Sequence, residues 1–341
     1  MHKIFNMKRA GNLFEKIYDP DNLRMAFIKA KKGKEHKSDV YSYSKHLTLN
    51  LSKLRKQFLT GNFDLGNYHF FIIYEPKERL ICAAPFAERV LHHAVINVCH
   101  PIFERFQIMH SYDTRIGKGQ YAALELAKKS QKNFTWFCKL DIRKYFDSIS
   151  HEKLISLLGR LFKDQKLLGL FEKIIYSYQT VPGRGLPIGN LTSQYFANFI
   201  LGVADHFLLE SIQIPSYVRY MDDMVLWHND KTTLLDKSGK FVSFIAEQLD
   251  LKVKTPCLHQ TEKGLPFLGY VVFPDSLRLN KNSKKRFIRK MDLADGLLNT
   301  GEWTQEEYSS HVNPLIAFTE HANVFKFRQE FLKKRKPVLG L

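Results

Sequence analysis

Two adjacent aspartates, Asp222 and Asp223, interrupt an otherwise apolar run, Arg219-Tyr220-Met221-Asp222-Asp223-Met224-Val225-Leu226. Apolar and aromatic neighbours on both sides predict two buried strands, with the carboxylates at the tight turn between them. An aspartate-containing turn is common by itself. Two neighbouring carboxylates repel, however, unless a cation neutralises them, and a divalent ion is the natural partner for oxygen ligands. A third aspartate, Asp141, closes another apolar stretch, Phe137-Cys138-Lys139-Leu140-Asp141; taken alone it could simply cap the helix that follows. Together, two strand-end carboxylate sites separated by a helix-rich insertion match what two-metal phosphoryl transfer needs. That chemistry uses ions about 4 Å apart, one activating the attacking hydroxyl and one holding the leaving pyrophosphate.

The elements that must position these groups read as follows. The chain up to about Phe70 is helical in pattern, with Leu47, Leu51, Leu54 and Phe58 at helical spacing and Gly61–Asn62 as a stop. Tyr68–Tyr74 and Leu80–Ala83 read as strands around a turn at Pro76–Arg79, and Phe86–Phe106 as a helix burying Val90, Leu91, Ala94, Val95 and Val98. A strand over Thr135–Asp141 precedes a helix from His151 to about Tyr178, with Ser150 as its cap. A Gly/Pro loop (Pro182–Gly189), a helix (Leu191–Glu210), the hairpin Tyr217–Trp227, a helix over Lys240–Leu249 and short strands between Leu251 and Val272 complete the series. After Pro274 the composition turns basic and helical. The predicted class is α+β, an antiparallel sheet backed by helices.

Composition narrows the partner. The 341 residues are 44% hydrophobic and 25% charged, as in an ordered globular protein. Lys plus Arg number 52 against 34 Asp plus Glu, a net charge of +18, with a pI near 9.6. Such an excess favours a polyanionic partner, nucleic acid above an anionic membrane surface. Met1–Tyr18 has no continuous apolar core, and Tyr195–Leu209 is short and broken by Asn198, Asp205 and His206, so neither a signal peptide nor a membrane span is expected. Cys82, Cys99, Cys138 and Cys257 lie far apart with no C-x-x-C pair, which argues against structural zinc and a disulfide framework. The expectation is a soluble protein of a reducing cytosol.

Tyr220-Met221-Asp222-Asp223, Leu140–Ile149 (LDIRKYFDSI) and Leu186–Gln194 (LPIGNLTSQ), in their order and separation, resemble the palm motifs of reverse transcriptases, over roughly Tyr68 to Tyr270. The resemblance implies a right-hand polymerase: an N-terminal extension and fingers in 1–134, a palm in 135–273 and a basic helical thumb in 274–341. It implies that Asp141, Asp222 and Asp223 are catalytic ligands of two Mg²⁺ ions, with Mn²⁺ able to substitute. Phe146, five residues after Asp141, corresponds to the aromatic that leaves no room for a 2′-hydroxyl. Lys77, Arg79 and Arg115 correspond to fingers residues around the incoming triphosphate, and Ile188, Gly189 and Gln194 to the loop beside the nascent pair. Gly269 and Tyr270, in Phe267-Leu268-Gly269-Tyr270, resemble the primer grip. Lys281, Lys284, Lys285, Arg286, Arg289 and Lys290 crowd one predicted helix, as a thumb gripping duplex phosphates would require; a solvated helix face is the alternative. In the loop before the primer grip, where many polymerases carry a lysine proposed as general acid, Cys257 falls nearest in register, with Lys252, Lys254 and Lys263 as neighbours; no general acid is assigned.

Ile188-Gly189, followed by Ser193-Gln194, resembles the enzymes of diversity-generating retroelements, which copy template adenines unfaithfully. That resemblance implies template RNA, primer, cDNA and deoxynucleoside triphosphates as partners, a small basic oligomeric accessory protein, no membrane, and the cytoplasm of a bacterial or archaeal cell, with phage encoding included. The alternatives are a stand-alone or defence-associated group II intron-like enzyme and a catalytically dead nucleic-acid-binding module. The presence of all three aspartates argues against the last, and Phe146 against an RNA-synthesising viral polymerase.

Overall fold

The computed structural model describes residues 8–74 and 78–333. Packing divides the chain into two compact units: residues 1–115, 141–213 and 239–255 in the first, and residues 116–140, 214–238 and 256–341 in the second. Each unit draws on three separate stretches of chain.

The first unit is mainly helical. Its centre is the helix Phe86–Phe106, whose Val90, Leu91, Ala94 and Val95 are buried as the 3.6-residue period predicts, whereas Val98 is only half-buried and Cys99 beside it is buried instead. The helices Pro20–Lys31 and Leu191–His206 pack against it. Phe103 stands within ring contact of Phe162, Phe196 and Phe199, at centroid distances of 5.3, 6.3 and 5.8 Å. The single helix expected from His151 to Tyr178 is two, His151–Leu161 and Gln165–Tyr176. Ser150 caps the first through Lys153 N at 3.3 Å. Asp164 caps the second and also accepts from Leu13 N and Phe14 N at 2.9 and 3.0 Å. That second duty explains the break: a side chain anchoring the N-terminal segment is more useful as a cap than inside a helix. β1 (His69–Ile73) and β2 (Arg79–Ala83) form an antiparallel hairpin pairing His69 with Ala83 and Ile73 with Arg79. Phe70, Phe71, Ile72 and Leu80 are exposed on it.

The second unit holds a four-stranded sheet in which β3 (Trp136–Asp141), β4 (Ser216–Tyr220), β5 (Asp223–His228) and β6 (Cys257–Gln260) lie in the order β4-β5-β3-β6. The unit boundary falls at the last residue of β3. The helix Gln120–Asn133, not expected from sequence, supplies Gln131. The Gln131 amide is buried and satisfied on three sides: it accepts from Trp227 Nε1 at 2.8 Å and donates to the carbonyls of Thr261 and Val272 at 3.1 and 2.9 Å. A buried amide so fully bonded stabilises one arrangement of these strands, since any slip would orphan its polar atoms. A three-stranded antiparallel sheet follows, β7 (Leu265–Phe267), β8 (Tyr270–Val272) and β9 (Leu277–Leu279). The basic C-terminal region is helical as expected: Lys281–Asn299, Gln305–Glu320 and Phe325–Lys333. Phe287, Met291, Ala294 and Val312 form its small core. All four cysteine thiols are free, and no helix among the described residues is long and apolar enough to cross a membrane.

Candidate active site

The aspartate hairpin is built by burial. Tyr217, Val218 and Arg219 on β4, and Met224 through Trp227 on β5, are inaccessible to solvent, so both faces of the hairpin are covered. Tyr220 pairs with Asp223, which leaves Met221 and Asp222 as a two-residue turn. Met221 has φ +52°, a left-handed conformation uncommon for so bulky a side chain. A tight hairpin turn that follows the strand twist needs a positive φ there. The guanidinium of the buried Arg219 donates to the Met221 carbonyl at 3.2 Å and fixes the strained residue. Asp222 thus stands on the turn and Asp223 opens β5, both half-exposed where the burial of the strands ends.

β5, which begins on Asp223, neighbours β3, which ends on Asp141. Each of these two carboxylates meets a lysine. Lys139 Nζ lies 3.0 Å from Asp223, and Lys254 Nζ lies 2.8 Å from Asp141 Oδ1. The backbone reinforces the second pair, with Lys254 N donating to the Asp141 carbonyl at 2.8 Å. Among the described residues no three carboxylate, imidazole or thiol groups are gathered into a cluster that would hold a metal ion; ammonium groups meet the buried Oδ1 oxygens of Asp141 and Asp223 instead. The donor chemistry nonetheless suits a hard divalent cation: every candidate ligand is a carboxylate, and two of them already draw positive charge. Sequence reasoning pairs neither lysine with an aspartate. Lys139 was detectable, since residues i and i+2 of a strand share a face and Lys139 stands two before Asp141.

The nucleotide-binding candidates of the first unit divide. Tyr145 is the ring that enters the core, 4% exposed and donating its hydroxyl to the Ala197 carbonyl, whereas Phe146 is half-buried beside it. The Phe146 carbonyl accepts from Leu186 N at 2.9 Å, which ties the aromatic to the Leu186–Gln194 loop. That loop docks on β2 through Cys82 N and the Ile188 carbonyl at 2.8 Å. Gly189 has φ +123°, and a Cβ there would come within 3.1 Å of the Cys82 carbonyl oxygen, so the loop needs glycine twice over. Ile188 is half-buried, Gln194 lies half-buried in the first turn of its helix, and Arg79 is exposed at the start of β2. Lys77 lies outside the described residues. Arg115 is held by partners inside its own unit. Its guanidinium donates to Glu104, on the helix Phe86–Phe106, at 2.7 and 2.9 Å and to the carbonyls of Ser111, at 2.9 Å, and Ile108. A polar network under this region also went unseen: Glu88 and His92, 4% and 1% exposed, lie 3.4 Å apart, with Thr192 Oγ1 3.0 Å from His92.

Residues 75–272, more than half of the chain, match the family described as reverse transcriptase (RNA-dependent DNA polymerase). The chain belongs to the reverse transcriptase family. Among relatives, it is 24% identical over 314 residues to the COX1/OXI3 intron 1 protein of Saccharomyces cerevisiae, covering 87% of this chain and 37% of that protein. It is 26% identical over 212 residues to the group II intron-encoded protein LtrA of Lactococcus lactis subsp. cremoris, covering 57% and 35%. The chain thus spans little more than a third of the length of these relatives. Among solved structures, telomerase from Candida albicans in complex with a fragment of telomeric RNA matches at a TM-score of 0.51 and 13% identity, over 86% of this chain and 61% of that one. Apo telomerase from Candida tropicalis matches at 0.51 and 12%, over 85% and 64%. The mixed helix-and-sheet fold is one that these telomerase chains share.

In this reverse transcriptase family member the primer-grip candidates face helices of their own unit. Gly269 has φ +88°, and a Cβ there would lie 3.0 Å from Ser283 Oγ and 3.1 Å from the Phe318 ring. Its carbonyl accepts from Ser283 Oγ at 2.7 Å and Asn280 N at 3.2 Å. Tyr270 is fully buried and donates its hydroxyl to the Phe318 carbonyl at 2.7 Å. Glycine here serves the approach of the following helices, a demand internal to the protein and separate from any approach of a primer strand. On the helix Lys281–Asn299, the buried stripe is Ser283, Phe287, Met291 and Ala294. Lys281, Lys285 and Arg289 recur every four residues on the exposed side, together with Lys290, while Lys284 and Arg286 lie half-buried over the rings of Phe327 and Phe318. Replacing Lys281, Lys285 and Arg289 together by Gln should weaken binding to every primer–template sequence alike. It should also flatten the dependence of log K on log salt by about one unit for each phosphate that the ridge no longer neutralises. A titration series at several salt concentrations measures this, and an unchanged slope would mean that the ridge is simply solvated.

Proposed function

We propose that this chain is an RNA-directed DNA polymerase, copying template RNA into cDNA from deoxynucleoside triphosphates with Asp141, Asp222 and Asp223 as its catalytic carboxylates. The observation that carries the proposal is the sheet order, in which the strand opening on Asp223 neighbours the strand closing on Asp141, inside the region matching the reverse transcriptase family. The three carboxylates would hold two divalent ions, Mg²⁺ in the first instance with Mn²⁺ as a substitute. Such ions, when bound, activate the attacking hydroxyl and neutralise charge on the leaving pyrophosphate. The remaining work belongs to the chain. Phe146 would exclude a 2′-hydroxyl, Arg79 would offer a planar fork to the triphosphate, Gly269 and Tyr270 would set the strand against which the primer end rests, and the basic ridge at Lys281, Lys285 and Arg289 would grip the duplex. Primer extension on a defined RNA template, with Mg²⁺ and with a chelator, tests the proposal; extension that persists in the chelator counts against it.

A finer role, copying adenines unfaithfully in a diversity-generating retroelement, is favoured by one feature, Ile188. A polar Gln at that position could hydrogen-bond near the nascent pair, and Ile cannot. A contact worth about 1 kcal/mol in the correct transition state but absent from the wrong one changes discrimination several-fold. Ile188→Gln is expected to lower misincorporation, most visibly opposite template adenine, while total synthesis stays within about tenfold of the parent. Sequencing cDNA made from one RNA by both proteins measures it. If the parent copies adenine as faithfully as the other bases, the role of a group II intron-like enzyme, in keeping with the relatives above, takes precedence.

A further inference from the structure

Lys139 does more than sit beside the candidate site. Its ammonium group lies 3.0 Å from the Asp223 carboxylate, donates to the Pro266 carbonyl at 2.8 Å, and stands 5.8 Å from the centroid of the Phe267 ring. All of these partners belong to the second unit. Pro266 and Phe267 are in β7, which pairs with β8 through the Leu268–Gly269 turn that joins them. One half-buried cation therefore joins the first residue of β5 to the strand that leads into the primer-grip candidate.

We propose that Lys139 is a positioning residue: the resident counter-ion of Asp223, which a divalent cation must displace, and the link through which that displacement reaches β7. The inference rests on the assignment of Asp223 as a metal ligand. Two like charges cannot share one carboxylate at close range without cost, so Lys139 competes with the metal. Once displaced, its ammonium keeps the Pro266 carbonyl as an anchor and gains freedom to meet an anionic group next to the primer grip. Metal occupancy and primer seating are thereby coupled through one side chain.

The test measures Mn²⁺ binding by electron paramagnetic resonance in the full chain and in Lys139→Gln, Lys139→Arg and Asp223→Asn. Lys139→Gln should bind Mn²⁺ more tightly, by up to on the order of tenfold, because a competing charge is gone. It should at the same time raise KM for primer–template by about threefold or more, through loss of a charge-assisted hydrogen bond to Pro266. Lys139→Arg, which keeps the charge and donors, should stay near the parent in both. A readout in the parent itself guards against a poorly folding variant: with lysines ¹³C-dimethylated, the resonance that vanishes in Lys139→Arg should move on saturation with Mg²⁺. If Asp223→Asn loses Mn²⁺ affinity while Lys139→Gln gains none, or the Lys139 resonance stays fixed under Mg²⁺, the counter-ion role is overturned and the metal assignment survives. If Asp223→Asn binds Mn²⁺ as the parent does, the metal assignment falls and the inference with it.

Discussion

Asp222→Asn is expected to lower primer extension by about a thousandfold or more while RNA binding persists. The change preserves shape and removes one negative charge from a turn whose conformation is already fixed: Met221 is held at φ +52°, and Arg219 bonds its carbonyl. The loss should therefore reflect chemistry and not misfolding. A metal-centred stabilisation of the transition state is worth several kcal/mol, and each 1.36 kcal/mol is about a factor of ten in rate. Asp141→Asn should behave in kind, since it ends the strand next to β5. The measurement is single-turnover extension of a labelled primer, paired with RNA affinity by filter binding. Extension near the parent rate in either variant would remove that aspartate from the catalytic set.

Phe146→Ala should shift the ratio of kcat/KM for deoxynucleotides over ribonucleotides by on the order of a hundredfold, at the upper end of what a shaped apolar pocket discriminates. The packing makes this a clean experiment. Tyr145 fills the core position and Phe146 is half-buried, so truncating Phe146 leaves the core ring in place. Deoxynucleotide use should change little, and the folded state should lose less than the roughly 3–5 kcal/mol typical of a buried Phe→Ala change. A constant ratio accompanied by a large drop in melting temperature would assign Phe146 to packing.

What the sequence revealed of this architecture follows the reach of local signals. The hairpin around Asp222 was legible because apolar residues flank it and its turn is short, and the helix Phe86–Phe106 because its stripe repeats at 3.6 residues. The helix Gln120–Asn133 was missed because three of its buried positions are Ala123, Ser130 and Gln131, which carry little hydrophobic signal although Gln131 organises the sheet. The break at Asp164 was invisible because its reason is the distant Leu13–Phe14 backbone. The same applies to the site. The aspartates announced themselves by type and place, whereas Lys254, 113 positions from Asp141 in the numbering, meets it only through the fold. The pairing of Arg115 with Glu104, on the preceding helix, was likewise outside what its motif position could indicate.

The alternation of the chain between its two compact units, three stretches to each, bears on how such a protein can be recombined. A crossover at a single point between 132 and 255 would divide both units between two parents. The interior contacts of each, such as Gln131 against Trp227, Thr261 and Val272, would then be divided between unmatched sequences. Exchange of one whole unit between relatives needs several coordinated junctions, at 115, 140, 213, 238 and 255. This fold is accordingly expected to accept substitution more readily than internal shuffling.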